Sequence, residues 1–166
     1  MRALVGLAFW VVLTNAALAY PDGAPWGVAK PASGQNCNSC HHDYELEKDS
    51  PLISLAGLPA SVRTGETYAL TLRFAPSDAE IAGFMLSASA GAFSEDSNGI
   101  EANEQEVRST NPVPAGDGAS WRVDWTAPED LSEEVFFYAV INGADNDASP
   151  FGDVIHFKMF EAAAAK

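Results

Sequence analysis

The chain has 166 residues and a formal net charge of −14, because 23 acidic side chains outnumber 9 basic ones. This length suits one domain. A chain so acidic repels phosphate backbones and anionic lipid heads, so binding to nucleic acid or to a membrane surface is not expected. The same charge would steer a partner with a basic docking face toward it.

The first 19 residues have the organisation of a secretory signal peptide. Arg2 gives a basic start, an apolar run covers 3–13, and small residues at 17 and 19 offer a cleavage site before Tyr20. The run is shorter than the roughly 20 residues of a membrane-spanning helix, so cleavage is favoured over an uncleaved anchor. No later apolar stretch is long enough to span a bilayer. The mature chain is therefore expected in the periplasm or secreted, with no membrane span.

Residues 20–50, the N-terminal arm, are expected to be irregular. Its first half is rich in Pro, Gly and Ala and favours an extended, turn-filled segment. Its second half holds both cysteines and two histidines, with room for one short helical turn.

From residue 51 the pattern changes to short strands separated by turns. Residues alternate at period two in 67–74 and 120–126, whereas 135–141 is nearly all apolar, as in a strand covered on both faces. Strands are predicted at 51–55, 67–74, 82–88, 105–109, 120–126, 135–141 and 153–160. These indicate an all-β, immunoglobulin-like β-sandwich of about seven strands over 51–161, followed by a tail at 162–166 whose residues favour helix.

Both cysteines lie in a Cys-x-x-Cys-His motif at 37–41, which is the attachment signal of c-type haem. Two thiols at this spacing reach the two vinyl groups on one porphyrin edge, and the adjacent histidine coordinates the iron. Cys37 and Cys40 are therefore the expected covalent anchors of one haem c, and His41 the proximal ligand. The alternatives are a redox disulfide, which would close a small loop and stabilise little, and a zinc or copper site, although structural zinc needs four ligands.

A second axial ligand on the iron would come from the sandwich. His156 is favoured: if Ile155 and Phe157 fill the core, His156 faces outward, where a haem docked on the sheet would meet it. Met85 is the weaker distal candidate, and it points outward if its two neighbours point inward.

Three side chains near the motif are not expected to bind the iron. His42 adjoins the proximal ligand and cannot easily reach the opposite face of the iron, so it is expected at the surface or beside a haem propionate. Trp26 and Tyr44 flank the motif, and either can stack on the porphyrin, although Trp26 can instead close one end of the sandwich. The arm alone is too short to enclose a haem, so the haem is expected to lean on the sandwich with an exposed edge.

Segments along nearly the whole mature chain, taken in order, resemble the bacterial reelin-like domains (Reeler, or choice-of-anchor V). They are PDGAP at 21–25, the cysteine motif, LPASV at 58–62, GETYALT at 65–71, GFMLSA at 83–88, GAF at 91–93, WRVDWTAP at 121–128, VFFYAVIN at 135–142 and NDASPFGDVI at 146–155. The resemblance implies an exported β-sandwich. It implies little about chemistry, because fold alone does not settle function.

Together these features predict an exported monohaem c-type cytochrome with an electron-transfer or redox role, rather than an enzyme. Such a role implies a redox partner protein with a basic docking face. Two alternatives stay open: a haem-based ligand binder or sensor with an open distal position, and a haem-free reelin-like binding or adhesion module.

Overall fold

A computed structural model describes residues 23–29, 37–41, 43–76, 78–94, 99–147 and 149–165. The predicted signal peptide and His42 lie outside these described residues. Within them the chain forms eleven β-strands and one short 3-10 helix, Cys37–Ser39. None of the helical structure in these ranges is long and apolar enough to cross a membrane.

The strands form two sheets. They are β1 (Ile53–Ala56), β2 (Ser61–Val62), β3 (Thr67–Phe74), β4 (Ile81–Ala88), β5 (Ala92–Ser94), β6 (Ile100–Ala102), β7 (Glu106–Ser109), β8 (Val113–Pro114), β9 (Ala119–Thr126), β10 (Val135–Ala144) and β11 (Val154–Ala164). The small sheet has the order β1-β3-β9-β5. The large sheet has the order β2-β11-β10-β4-β7-β6, with β8 paired to β4.

The predicted β-sandwich is confirmed. Each of the seven predicted segments contains or overlaps a strand, and the prediction for Thr67–Phe74 matches β3. The sequence pattern did not reveal β2, β5, β6 and β8, because each has only two or three residues and shows no period.

The main core lies between the two sheets, and aromatic side chains join them. Trp125 of β9 meets Phe137 of β10 edge-on with ring centroids 4.9 Å apart, and Trp121 of β9 lies 4.8 Å from Phe84 of β4. Aromatic pairs in these geometries add to the free energy gained by burying their large apolar surfaces. These contacts fix how the sheets face one another.

The outer face of the large sheet carries a second apolar cluster beneath the N-terminal arm. Its buried members include Met85, Val140 and Ile155, and Cys37 and Leu46 of the arm pack against them. Three backbone hydrogen bonds of 2.9–3.0 Å also join the arm to β11. The middle of the large sheet is therefore covered on both faces.

The predicted orientation of β11 is wrong. His156 is paired in register with the core residue Ile141, and its ring lies 4.9 Å from Phe74 of the opposite sheet. Ile155 lies instead in the outer cluster beneath the arm. Because apolar contacts cover both faces of this strand, period-two alternation does not reveal which face is inside.

The predicted tail at 162–166 is also wrong in part, because β11 continues to Ala164. Ala162 is buried and pairs with Val135, and the two alanines after it pair in parallel with β2. Pairing with β2 and β10 overrides the helical propensity of the alanine run.

The burial of His156 makes stability depend on pH. Its Nδ1 lies 3.0 Å from Ser50 Oγ, and burial lowers the pKa of His156, although Glu47 and Asp78 oppose the shift. As the pH falls, the histidine of the unfolded chain, with a pKa of about 6.5, is protonated before His156 of the folded chain. The contribution of His156 to the free energy of unfolding is therefore fully present above about pH 6.5 and decreases as the pH drops below that value.

We expect the urea midpoint of the wild type to fall more between about pH 7.5 and 5.5 than that of His156→Gln, which cannot titrate there. The comparison removes the contribution of the other titrating groups, which both proteins share. Equal losses in the two proteins would contradict the inference.

Candidate functional site

The Cys-x-x-Cys-His motif forms one helical turn at the surface of the large sheet. The backbone N–H groups of Cys40 and His41 both donate to the carbonyl oxygen of Cys37, at 3.2 and 3.0 Å. Residues three and four positions apart on such a turn share a face. The turn therefore brings Cys37, Cys40 and His41 to one side, where all three line the same cavity.

That cavity lies between the arm and the outer face of the large sheet and has a volume of about 410 Å³. This is within the usual range for cofactor and small-ligand sites, roughly 300–1,000 Å³. Its lining is mainly apolar, with a few polar groups. Besides the motif it includes Val28, Met85, Val140, Asn142, Asp147 and Asp153.

His41 lies next to a buried carboxylate. Its Nδ1 is 2.7 Å from Asp153 Oδ2, which also accepts a hydrogen bond of 2.9 Å from the side-chain amide of Asn142. The His41 contact has an ion-pair distance but is not a well-directed hydrogen bond. With Nδ1 turned to Asp153, the ring nitrogen left for a ligand is Nε2. Metal-binding histidines commonly have such a carboxylate partner on their other nitrogen.

The two cysteines have different environments. Cys40 is exposed, whereas Cys37 is half-buried in the outer apolar cluster. Burial raises the pKa of Cys37 to about 11, so this group is a neutral thiol near pH 7. Within the described ranges, no three His, Cys, Asp or Glu side chains converge as a bare metal ion would require.

The structure separates the two distal-ligand candidates. Met85 is buried on the outer face of β4 and lines the same cavity as His41. His156 faces the interior between the sheets and is not part of the cavity lining. The geometry thus reverses the predicted preference: it favours Met85, whose role as a ligand stays a prediction.

The contact that holds the arm, called the anchor below, was not predicted from the sequence and is formed by Glu106 and Arg108 of β7. The guanidinium of Arg108 on β7 lies 4.2 Å from the ring centre of Trp26, bonds the carbonyl oxygen of Ala24, and pairs with Glu101 at 2.7 Å. The backbone N–H of Gly27 donates to Glu106 Oε2 at 3.0 Å. In the predicted strand at 105–109, the charged residues Glu106 and Arg108 stand on either side of Val107. This pattern shows two charged side chains on one face of the strand, but it does not show that they contact the arm.

The aromatic side chains near the motif do not line the cavity. Trp26 packs against Arg108 of the anchor instead. Tyr44 is exposed, with its backbone carbonyl oxygen accepting a hydrogen bond from Asn38.

Comparison with known proteins gives a likeness to solved structures only. No protein-family model matches the chain, and no curated protein matches it. The Reelin-N domain of F-spondin superposes with a TM-score of 0.57 at 20% identity, over 78% of this chain and 97% of that one. A human F-spondin reeler domain superposes with a TM-score of 0.54 at 19% identity, over 74% and 95% of the two chains. This chain therefore has the fold of a reeler domain.

Proposed function

We propose that this protein is an exported monohaem c-type cytochrome that transfers electrons in the periplasm. One haem c is bound through Cys37 and Cys40, with His41 as the proximal ligand. The observation that carries this proposal is that all three motif side chains open onto one largely apolar cavity. The carboxylate of Asp153 beside His41 is the second support.

The residues around the cavity fit a porphyrin. Val28 of the arm and Val140 of the sheet supply apolar surface for a largely apolar macrocycle, and Met85 places a thioether among them. Cys40 is exposed, so a haem attached there would keep an edge near solvent. When bound, haem c supplies one-electron redox chemistry. The cysteines and His41 would hold and orient the group, and the apolar lining would exclude water from it.

The surface near the site suits a basic partner. Asp43, Asp145 and Asp147 are exposed, and the formal charge of the whole chain is −14. Complementary charge speeds encounter and sets orientation more than it raises affinity. The partner that we propose is therefore a redox protein with a basic docking face.

The second candidate function is a haem-free binding or adhesion module. It is favoured by the fold that this chain shares with the F-spondin reeler domains. In that case the motif would be structural, and the cavity would accept another small ligand or none.

The test is the intact mass of the full chain expressed in a host that matures haem c. We expect one haem per chain in the wild type and in Ser39→Ala, which keeps the motif, and none in Cys37→Ala/Cys40→Ala.

The absorbance spectrum tests the distal ligand. The reduced wild type should show sharp α and β bands, and Met85→Ala should lose this six-coordinate spectrum while His156→Gln keeps it. A wild type with no added mass would reject the cytochrome and favour the second candidate. A broad five-coordinate spectrum that shifts with CO would instead indicate a haem-based sensor.

A further inference from the structure

We infer that Asp153 is the positioning residue for His41: it holds the imidazole with Nδ1 protonated and Nε2 turned to the cavity. This inference deepens the proposed function and rests on it for its redox consequence. The contact itself is a property of the chain alone, so part of it can be tested without haem.

One hydrogen bond holds the carboxylate of Asp153, and two further contacts hold the backbone on either side of it. Asp153 directly precedes β11, whose first residues pair with β10. The side-chain amide of Asn142 on β10 donates to its Oδ2 at 2.9 Å. The preceding residue, Gly152, donates its backbone N–H to Asp43 Oδ2 of the arm at 3.1 Å. The loop before β11 is therefore joined to the segment that carries the motif.

Burial gives the carboxylate a need for a further donor. Asp153 is 3% exposed, and its Oδ1 has no hydrogen-bond partner among the described residues. A buried carboxylate without enough donors is costly. His41 Nδ1 lies 2.7 Å from Oδ2, but its N–H is not directed at that oxygen, so the imidazole ring must rotate before it donates to the carboxylate. The pairing selects the tautomer in which Nε2 keeps its lone pair.

The same pairing has an electronic consequence for a bound iron. A carboxylate on the outer nitrogen of a ligating histidine raises the basicity of that ligand. A more basic ligand stabilises the oxidised over the reduced iron, so Asp153 lowers the midpoint potential. Replacing the carboxylate by an amide should raise the potential without removing the covalent anchors.

The control for lost charge is Asp117→Asn. Asp117 is exposed and is not part of the cavity lining. We expect Asp153→Asn to keep one haem per chain and to raise the midpoint potential, while Asp117→Asn stays close to the wild type. Equal shifts in the two variants, or no shift in Asp153→Asn, would overturn the redox part of the inference.

Nitrogen-15 NMR of the haem-free chain near pH 8 tests the positioning separately. We expect His41 to carry its proton on Nδ1 in the wild type and in Asp117→Asn, and to shift toward the Nε2–H form in Asp153→Asn. A wild type with the proton on Nε2 would overturn the inference even if Asp153→Asn failed to fold. A wild type that never takes up haem but shows the Nδ1–H form would reject the cytochrome and retain the His41–Asp153 pair.

Discussion

Replacing Trp125 by alanine is expected to lower the free energy of unfolding by about 3–5 kcal/mol. Trp125 is 0% exposed and lies in the small sheet, where its ring meets Phe137 of the large sheet. Its indole N–H donates to the carbonyl oxygen of Ala90 at 3.1 Å. The substitution therefore leaves a cavity between the sheets and a carbonyl without its donor. Such a loss is a large part of a total stability of about 5–15 kcal/mol.

Urea unfolding followed by circular dichroism measures this effect. Trp125→Phe keeps most of the apolar volume and loses only part of the ring and the indole N–H, so its loss should be clearly smaller. Trp26→Ala removes a tryptophan from the surface and should cost about 1 kcal/mol or less, mostly its contact with Arg108. The packing described for the core would be wrong if the two tryptophan-to-alanine variants lost the same amount.

Gly91→Ala is expected to cost more than about 2 kcal/mol, combining left-handed backbone strain with overpacking. Gly91 has a φ of +80°, and a Cβ there would lie 2.5 Å from the carbonyl oxygen of Thr126 and 2.6 Å from Trp125 Nε1. Neither neighbour can move easily, because one is strand backbone and the other is the buried indole.

The matched control is Gly99→Ala. Gly99 has a similar φ of +89°, but a Cβ at this position would have no described atom within 4 Å outside its chain neighbours. Its loss should be limited to backbone strain, about 1 kcal/mol. Thermal unfolding of both variants separates strain from overpacking, and similar midpoints would show that contact at Gly91 contributes nothing.

Local patterns were sufficient to predict most of the fold. In β9, Trp121, Val123 and Trp125 are buried, whereas the residues between them are exposed or half-buried. The reason is that one face of the strand packs on the core and the other faces solvent. The same alternation predicted β3 over its full length. The motif at 37–41 is also local: its chemistry follows from residue types at fixed spacing, and needs no knowledge of the fold.

The partners of that motif were not available from any local pattern. Met85 and Asp153 join His41 at one cavity only because β4, β10 and β11 are neighbours in the large sheet and the arm crosses its outer face. His156 was placed on the wrong face for a related reason. Its strand, β11, is covered by apolar contacts on both faces, so the alternation of residues along the strand does not show which face points into the core.

The sequence by itself determined the strand periods, the β-sandwich class and the spacing of the two thiols and the histidine. Only the tertiary structure decided which distant side chains surround His41, and which face of β11 lies in the core. The physical reason is that residue order encodes periodicity and spacing along one segment. Contacts between segments depend on strand order, register and the path of the arm, which emerge only when all of the apolar surfaces are buried together.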